Sequence, residues 1–287
     1  MLYALFSLFY ALAIGVVFMG LWLRGPWLAA GTNGTGVLLL HGFSGDPQEM
    51  IPLGAGLAAA GFGVHIPVLP GHGGVPQDLA GFRWTDWLDA ARADLAILRD
   101  EYEQVMIAGY SMGGALALIL AAEQPLTALV LVATPLYLQP EWLMRTIPLV
   151  KYLLPDFRPL AKADFSDPSL RAQMLQFDPD VKLDDPTVQA ALRKHIRLPM
   201  AAIGELVAVL RTARRTLSPI TTPTLVMHGT LDETAPPASA SEIVAALAGS
   251  AELVWWHNSG HLLLVGPEQA AIVARAVQFC RERGVRD

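Results

Sequence analysis

The chain has 287 residues, of which 53% are hydrophobic, and a formal net charge of −6 at pH 7. This length supports a sizeable core in one large α/β domain or two small ones. The acidic balance, with no stripe rich in Lys and Arg, excludes nucleic acid as an expected partner. The single cysteine, Cys280, excludes an internal disulfide framework and a cysteine metal cluster.

The chain opens with a long apolar run that has no charged side chain before Arg24. Roughly 22 residues at 1.5 Å per residue span about 33 Å, which exceeds a hydrocarbon core of about 30 Å. We therefore predict a single-pass membrane anchor at residues 1–25, with residues 2–23 in contact with the membrane. Residues 26–35 are then predicted to be a linker.

A cleaved signal peptide and a buried or interfacial helix are the alternatives for this run. Small residues at Ala29–Ala30 offer a cleavage site. No basic segment precedes the run, however, and it is longer than the usual stretch of about 7–15 apolar residues in a signal peptide. The side of the membrane stays open, because Arg24 favours a cytoplasmic location for the rest of the chain and the free N-terminal amine opposes it.

Beyond the linker, apolar runs alternate with helical patterns. The runs predict strands at residues 37–42, 62–69, 104–110, 128–135, 222–229 and 251–257. The helical patterns lie at residues 47–61, 84–100, 111–124 and 239–249 and from residue 266 onward. Nearly continuous apolar strands in such an alternation predict an α/β fold, with a mostly parallel central sheet and helices on both faces.

The alternation stops near Pro135 and resumes more than 80 residues later. Residues 135–218 contain scattered prolines and no clear strand. So long a stretch exceeds an ordinary connection, and we predict a helical cap inserted after the fourth recognised strand. Residues 36–134 and 219–287 then form the core domain.

A serine between two glycines follows the third predicted strand, in "VMIAGYSMGG". A chain that reverses tightly from strand to helix forces strained torsions on this serine, Ser111. Gly109 and Gly113 remove side chains that would clash with the neighbouring strand and helix. The serine oxygen then stands clear at the carboxyl end of the sheet, as a nucleophile requires.

A serine nucleophile needs a base, and the base needs an acid that orients it. Asp232 follows the strand at 222–229, and His261 follows the strand at 251–257. We predict Asp232 as the acid, although the adjacent Glu233 is chemically able. We predict His261 as the base, with His257 a partly buried structural residue. Three further histidines are predicted to be structural or solvated: His65, His195 and His228.

Two backbone N–H groups are needed to stabilise the oxyanion of a tetrahedral intermediate. One is predicted at Met112, directly after the nucleophile, and the other at Phe43 in the loop "HGFSGD". The Phe43 ring, Leu136 and Tyr137 are predicted walls of an apolar substrate pocket. The apolar segment 142–154 is a further candidate wall and could face a bilayer.

With these residues in place, the chain resembles the α/β-hydrolase family, and more narrowly its bacterial carboxylesterases and monoacylglycerol lipases. The motifs "LLLHGFSGDPQEM", "IPVLPGHG", "GYSMGG", "TLVMHGTLDETAPP" and "NSGHLLL" follow in that family's order. The resemblance covers roughly residues 36 to 285. It implies Ser111 as nucleophile, a cap over an apolar acyl tunnel, and no metal or organic cofactor. The N-terminal apolar run departs from the soluble members.

The predicted function is hydrolysis of carboxylic esters with short to medium acyl chains, monoacylglycerols among them, through an acyl-enzyme on Ser111. A thioesterase, peptidase, acyltransferase or cofactor-free haloperoxidase would use the same three residues. Epoxide hydrolases and dehalogenases are disfavoured because their nucleophile is a carboxylate. A catalytically silent, membrane-tethered ligand-binding protein is the alternative from another class. The expected partner is a small-molecule or lipid ester, and the motifs leave the oligomeric state open.

Overall fold

A computed structural model describes residues 25–144, 146–147, 154–167, 170–171, 174–175 and 180–284. The predicted membrane segment at residues 2–23 and most of the apolar segment at 142–154 lie outside these residues. Within the described ranges, no helix is both long enough and apolar enough to cross a membrane.

In the described part of the chain, seven strands form the central sheet: β1 Trp27–Ala29, β2 Thr35–Leu40, β3 Gly63–Ile66, β4 Gln104–Tyr110, β5 Ala128–Val132, β8 Thr224–Gly229 and β9 Ala251–Trp256. Their order across the sheet is β1-β3-β2-β4-β5-β8-β9. Two short strands, β6 Asp156–Phe157 and β7 Leu198–Pro199, pair separately. Every neighbouring pair in the central sheet is parallel except β1 with β3, which confirms the predicted mostly parallel sheet.

Helices cover both faces of this sheet. The α-helices are α1 Ile51–Ala59, α2 Trp84–Glu101, α3 Met112–Glu123, α4 Glu141–Met144, α5 Pro186–His195, α6 Met200–Arg215, α7 Ala238–Ala246 and α8 Gln269–Gly284. Short 3-10 helices occupy Pro47–Met50 and Pro76–Gly81. Side chains of α2, α3, α6 and α7 share one core cluster, and those of α1 and α8 share the other.

The burial of each helix follows from its sequence. In α2, Trp87, Ala91, Leu95 and Leu98 recur at helical spacing and are buried, while the intervening charged residues are not. In α3, every residue from Met112 to Ala121 is buried, because α2 and α6 pack beside it and β2, β4 and β5 pack below it. The helix that begins at the candidate nucleophile is therefore the most enclosed helix of this layer.

The predicted linker at residues 26–35 was wrong in part, because it contains β1. Trp27 pairs with Ile66 and Ala29 with Val64, antiparallel to β3. A strand of three residues is too short for hydrophobic periodicity to reveal. The register also sets a direction: Trp27 lies level with the last residue of β3, so the chain enters the sheet from its carboxyl edge.

The inserted segment, residues 135–218, holds α4, α5 and α6 among its described residues. The expectation that it has no strand was wrong, since β6 and β7 form a small antiparallel pair. Each of these strands has only two residues, so neither produces an alternating pattern. Through α6 the insertion packs on α3, and it thereby lies over the helix that begins after Ser111.

Candidate active site

Ser111 stands at the sharp turn between β4 and α3. Its φ of 51° lies in the left-handed region, and its ψ is −117°. Such torsions are strained for a residue with a side chain and mark nucleophile turns of this kind. The Ser111 N–H donates to the Val132 carbonyl at 2.9 Å, which ties the turn to β5. A Cβ on Gly113 would lie 2.1 Å from the Leu40 carbonyl oxygen, so only glycine allows this approach.

Gly109, which lies in β4 two residues before Ser111, must also be a glycine. A Cβ at this position would lie 2.4 Å from the Gly113 carbonyl oxygen. The two glycines therefore face each other across the turn. This geometry is the physical reason for the spacing of the glycines around Ser111.

The structure brings Ser111, His261 and Asp232 into one hydrogen-bonded line. His261 Nε2 lies 3.0 Å from Ser111 Oγ, and His261 Nδ1 lies 2.8 Å from Asp232 Oδ2. All three residues are buried. The carboxylate fixes the proton on Nδ1, which leaves Nε2 free to accept the proton of the serine hydroxyl. The arrangement is suited to general-base activation of a serine nucleophile.

Asp232 is held by the backbone of its own loop. Its Oδ1 accepts the N–H groups of Thr234 and Ala235, each at 2.8 Å. Burial acts to raise the pKa of Asp232, but the electrostatic interactions and hydrogen bonds of the carboxylate with the His261 and His228 rings outweigh it and hold that pKa below its usual range. Glu233, the rival acid, is exposed. The carboxylate that faces His261 therefore stays ionised.

His228 is a second imidazole beside this carboxylate, and the sequence did not single it out for the site. It is fully buried, its Nε2 lies 3.0 Å from the Ala235 carbonyl, and Asp232 Oδ2 is 3.3 Å away. Its Nδ1 has no hydrogen-bond partner among the described residues. The ring therefore donates through Nε2–H, because a buried Nδ1–H without an acceptor would be costly.

The loop that carries His261 is fixed from two sides. The Tyr110 hydroxyl donates to the His261 carbonyl at 3.3 Å, and the two rings pack with centroids 5.4 Å apart. Glu268 accepts from the Ser259 hydroxyl at 2.6 Å and from the Asn258 N–H at 3.1 Å. The sequence does not single out Tyr110, because a tyrosine at the end of an apolar strand is indistinguishable from a packing residue.

The remaining histidines are distributed as follows. His257 is exposed, so the expectation that it is partly buried was wrong: the strand β9 ends one residue earlier, at Trp256. His195 is exposed at the end of α5, as predicted for a solvated residue. His65 is buried on β3, with Asp94 at 3.8 Å.

The loop after β2 carries the predicted oxyanion donor Phe43. The strand ends at Leu40, so His41 and Gly42 belong to the loop. Leu69 donates its N–H to His41 Nε2 at 3.1 Å, which places the ring proton on Nδ1, and Nδ1 donates to the Gly42 carbonyl at 2.9 Å. Burial lowers the pKa of His41 to about 4, so this ring is neutral.

Holding the Gly42 carbonyl also orients the Phe43 N–H. In a planar trans peptide the C=O and the following N–H point in opposite directions. Met112, the other predicted donor, is the first residue of α3, where N–H groups lack an intrahelical acceptor. The two donors therefore follow β2 and β4, which are adjacent parallel strands ending at the same edge.

The predicted pocket walls lie in different surroundings. The Phe43 ring is buried edge-on against Trp87, with centroids 6.0 Å apart. Leu136 and Tyr137 line a cavity of about 250 Å³ beside α6. Phe43 and the three residues of the hydrogen-bonded line are not among the residues that line this cavity.

In the part of the chain that the structure describes, no group of three or more His, Cys, Asp or Glu side chains is placed to hold a metal ion. Cys280 is a free, fully buried thiol, and burial raises its pKa to about 12. It belongs to α8 and shares a core cluster with α1, on the face of the sheet that lies away from α3.

Comparisons with known proteins identify a family model and several relatives that this chain resembles. The family model described as "Serine aminopeptidase, S33" (Hydrolase_4) matches residues 33–268. A thermostable monoacylglycerol lipase of Bacillus sp. (strain H-257) is 26% identical over 85% of this chain and 89% of its own length. A carboxylesterase of Bacillus subtilis (strain 168) is 25% identical over 85% of this chain and 91% of its own length.

One similar solved structure comes from work on two metagenome-derived lipolytic enzymes, LipS and LipT. It covers 93% of this chain and 99% of its own, with 25% identity and a TM-score of 0.75. The likeness thus extends over nearly the whole described fold.

Proposed function

The chain belongs to the serine aminopeptidase S33 family (Hydrolase_4), and from this premise we propose that it hydrolyses carboxylic esters of short to medium acyl chain through an acyl-enzyme on Ser111. The observation that carries the proposal is the line Ser111–His261–Asp232, with contacts of 3.0 Å and 2.8 Å. The similarity to a monoacylglycerol lipase and a carboxylesterase favours esters, and monoacylglycerols among them, over peptides.

Each group has one task in the reaction. Ser111 Oγ attacks the ester carbonyl while His261 Nε2 takes the hydroxyl proton, and the oxyanion forms against the N–H groups of Phe43 and Met112. When the tetrahedral intermediate collapses, the C–O bond breaks and the same proton passes to the leaving alcohol. Water, deprotonated by His261, then attacks the acyl-enzyme and releases the acid. Asp232 stabilises the imidazolium formed in both steps.

The test compares the intact protein with Ser111→Ala. We expect a fluorophosphonate probe to label the intact protein, and hydrolysis of p-nitrophenyl esters to peak at short or medium acyl chains. The variant should lose labelling and about 10⁴-fold or more of the turnover. A folded intact protein that neither labels nor hydrolyses would overturn the proposal and favour a silent ligand-binding protein. Turnover of aminoacyl or thioester substrates but not of oxyesters would reassign the substrate.

We further propose that residues 2–23 anchor the enzyme in a membrane. An apolar run of this length without a charge suits a single span. Retention of the segment is supported by β1, because cleavage at Ala29–Ala30 would remove this strand from the sheet. The register of β1 supports a specific attachment point: Trp27 lies at the carboxyl edge, where Ser111 also lies. An anchor leaving from this edge would bring lipid esters to the site.

Fractionation of cells that express the full chain tests the anchor. We expect the protein to remain in membranes washed with alkaline carbonate and to keep its N-terminal sequence. Leu12→Arg combined with Val16→Arg should release it, because each charge at the centre of a span costs about 3 kcal/mol. A soluble intact chain, or a mature chain that begins near residue 30, would contradict the proposal.

A further inference from the structure

The loop at residues 41–46, which carries Phe43, is called the oxyanion loop from here on. A carboxyl group that the mechanism does not use packs against this loop. Glu49 belongs to the 3-10 helix Pro47–Met50, which follows the loop directly, and it is partly buried. Its Oε2 accepts the N–H of Gly42 at 2.9 Å. Gly42 is the residue immediately before Phe43, whose N–H is the proposed oxyanion donor.

Two glycines make the space that this carboxyl group fills. A Cβ on Gly45 would lie 2.2 to 2.4 Å from both oxygens and the carboxyl carbon of Glu49. A Cβ on Gly42 would lie 3.2 Å from Glu49 Oε2 and 3.3 Å from the Tyr110 ring. The loop and the carboxyl group are therefore packed against each other, and Tyr110 closes the other side.

With Glu49 in place, Gly42 is held by both of its peptide groups. Its N–H donates to Glu49, and its carbonyl accepts from His41 Nδ1 at 2.9 Å and from the Gly45 N–H at 3.3 Å. Glycine has the widest choice of torsions, so a glycine without such partners leaves the next peptide free to rotate. These hydrogen bonds together determine where the Phe43 N–H points.

We propose that Glu49 is a positioning residue: by holding the Gly42 N–H, it keeps the Phe43 N–H aimed at the oxyanion of the reaction. The inference rests on the ester hydrolysis proposed above. It assigns Glu49 no contact with substrate. Glu49 acts through the backbone of the loop on the Phe43 N–H. This N–H stabilises the substrate carbonyl oxygen only when that oxygen becomes charged.

The protonation of this group matters to the same donor. Burial is the main cause that raises the pKa of Glu49 to about 8, and the nearby Asp46 carboxylate adds to it, while the hydrogen bond from the Gly42 N–H acts to lower it. At pH 7 the group is therefore mainly neutral and accepts through a carbonyl oxygen. Three other titratable side chains around the loop are uncharged at pH 7, because burial lowers the pKa of His41 and of His72 and raises that of Tyr110. Above about pH 8, a negative charge behind the loop would oppose the forming oxyanion.

Two variants and a matched control test the positioning role. Glu49→Ala removes the acceptor, and we expect kcat for a p-nitrophenyl ester to fall at least tenfold with KM within about twofold, since oxyanion donors act in the transition state. The inhibition constant of an alkyl boronic acid, which forms a tetrahedral adduct on Ser111, should rise in parallel. Glu49→Gln keeps a carbonyl acceptor and should restore kcat at pH 7. Glu103→Gln, an exposed change from acid to amide, should leave all three quantities unaltered.

A second pair of variants tests whether the effect passes through the packing. Gly45→Ala should lower kcat in the intact protein, because its Cβ displaces the Glu49 carboxyl group. The same change should cost much less in a Glu49→Ala background, where the clash is gone. Equal losses in both backgrounds would show that Gly45 and Glu49 act independently and would contradict the proposal.

The pH profile separates positioning from a merely structural role. We expect kcat of the intact protein to fall above about pH 8 and that of Glu49→Gln to persist to higher pH. Identical profiles, or a Glu49→Ala variant with unchanged kcat, would overturn the inference while leaving the ester hydrolase intact. Absence of hydrolysis by the intact protein would instead overturn the proposed function. If Glu49→Ala does not fold, the profile of Glu49→Gln decides.

Discussion

Asp232 is the residue whose hydrogen bonds make the sharpest prediction. In Asp232→Asn the amide keeps an oxygen for the Thr234 and Ala235 N–H groups but places an NH₂ against His261. The imidazole then takes the wrong tautomer, with its proton facing Ser111. We expect kcat for ester hydrolysis to fall by about 10⁴-fold with little change in KM.

Glu233→Gln is the control for that change, since it makes the same substitution one residue along, on an exposed side chain. Its kcat should match that of the unaltered enzyme. A loss in Glu233→Gln comparable to that in Asp232→Asn would mean that the loop rearranges and that the acid has been assigned to the wrong carboxylate.

The sequence identifies some residues of the site but not others. Ser111, Asp232 and His261 each follow a predicted strand, and their order along the chain is itself a signal, so the sequence alone identifies them. Tyr110 and His228 lie at or next to the ends of strands, but their residue types fit a packed core equally well. Their roles follow only from contacts with residues 151 and 4 positions away, respectively.

At the scale of elements, the turn between β4 and α3 depends on close backbone approach. Gly113→Ala would place a Cβ 2.1 Å from the Leu40 carbonyl oxygen, so β2 and α3 would have to separate. We expect the free energy of unfolding to fall by about 1–3 kcal/mol, as in overpacked cores. Activity should fall as well, because Ser111 and the oxyanion loop lie on the two elements that move apart.

Gly204→Ala is a matched control for this glycine. Gly204 lies within α6, and among the described residues a Cβ there would meet only Ile147, at an ordinary 3.5 Å. Alanine is the better helix former by about 1 kcal/mol, so thermal unfolding should show equal or slightly higher stability. Destabilisation by both changes would show that α6 does not tolerate even ordinary contacts.

Element length decided which strands could be predicted. The strands β2, β4, β5, β8 and β9 have five to seven residues and are strongly apolar or β-branched, so the sequence revealed them. The three short strands β1, β6 and β7 have two or three residues. Their pairing is stabilised by distant neighbours, and a periodicity argument therefore misses them.

At the scale of the whole molecule, two groups with shifted pKa values, His41 and Glu49, shape the dependence of stability on pH. The pKa of His41 falls from 6.5 to about 4 on folding, so the unfolded chain binds more protons between these values, and His41 destabilises the fold as pH falls through them. The pKa of Glu49 rises from 4.5 to about 8, so the folded chain binds more protons, and stability is lost as pH rises.

Comparing the intact protein with Glu49→Gln isolates the second effect. Between about pH 6.5 and 8 the free energy of unfolding should decline more steeply in the intact protein, by at most about 1.4 kcal/mol per pH unit. Urea denaturation at a series of pH values measures the difference. Parallel curves for the two proteins would mean that Glu49 titrates in the folded state much as it does in the unfolded state.

The sequence by itself determined the α/β alternation and the nucleophile turn, because each depends on residues a few positions apart. It also determined the order of serine, acid and base, because each of these residues follows a predicted strand. Only the tertiary structure decided the rest. It shows that β1 pairs with β3 and starts at the carboxyl edge of the sheet. It also shows that His228 lies beside Asp232 and that Glu49 accepts a hydrogen bond from the Gly42 N–H. The reason is physical. Local spacing sets torsions and periodicity, whereas the partner of a buried polar group depends on which segments the fold packs around it.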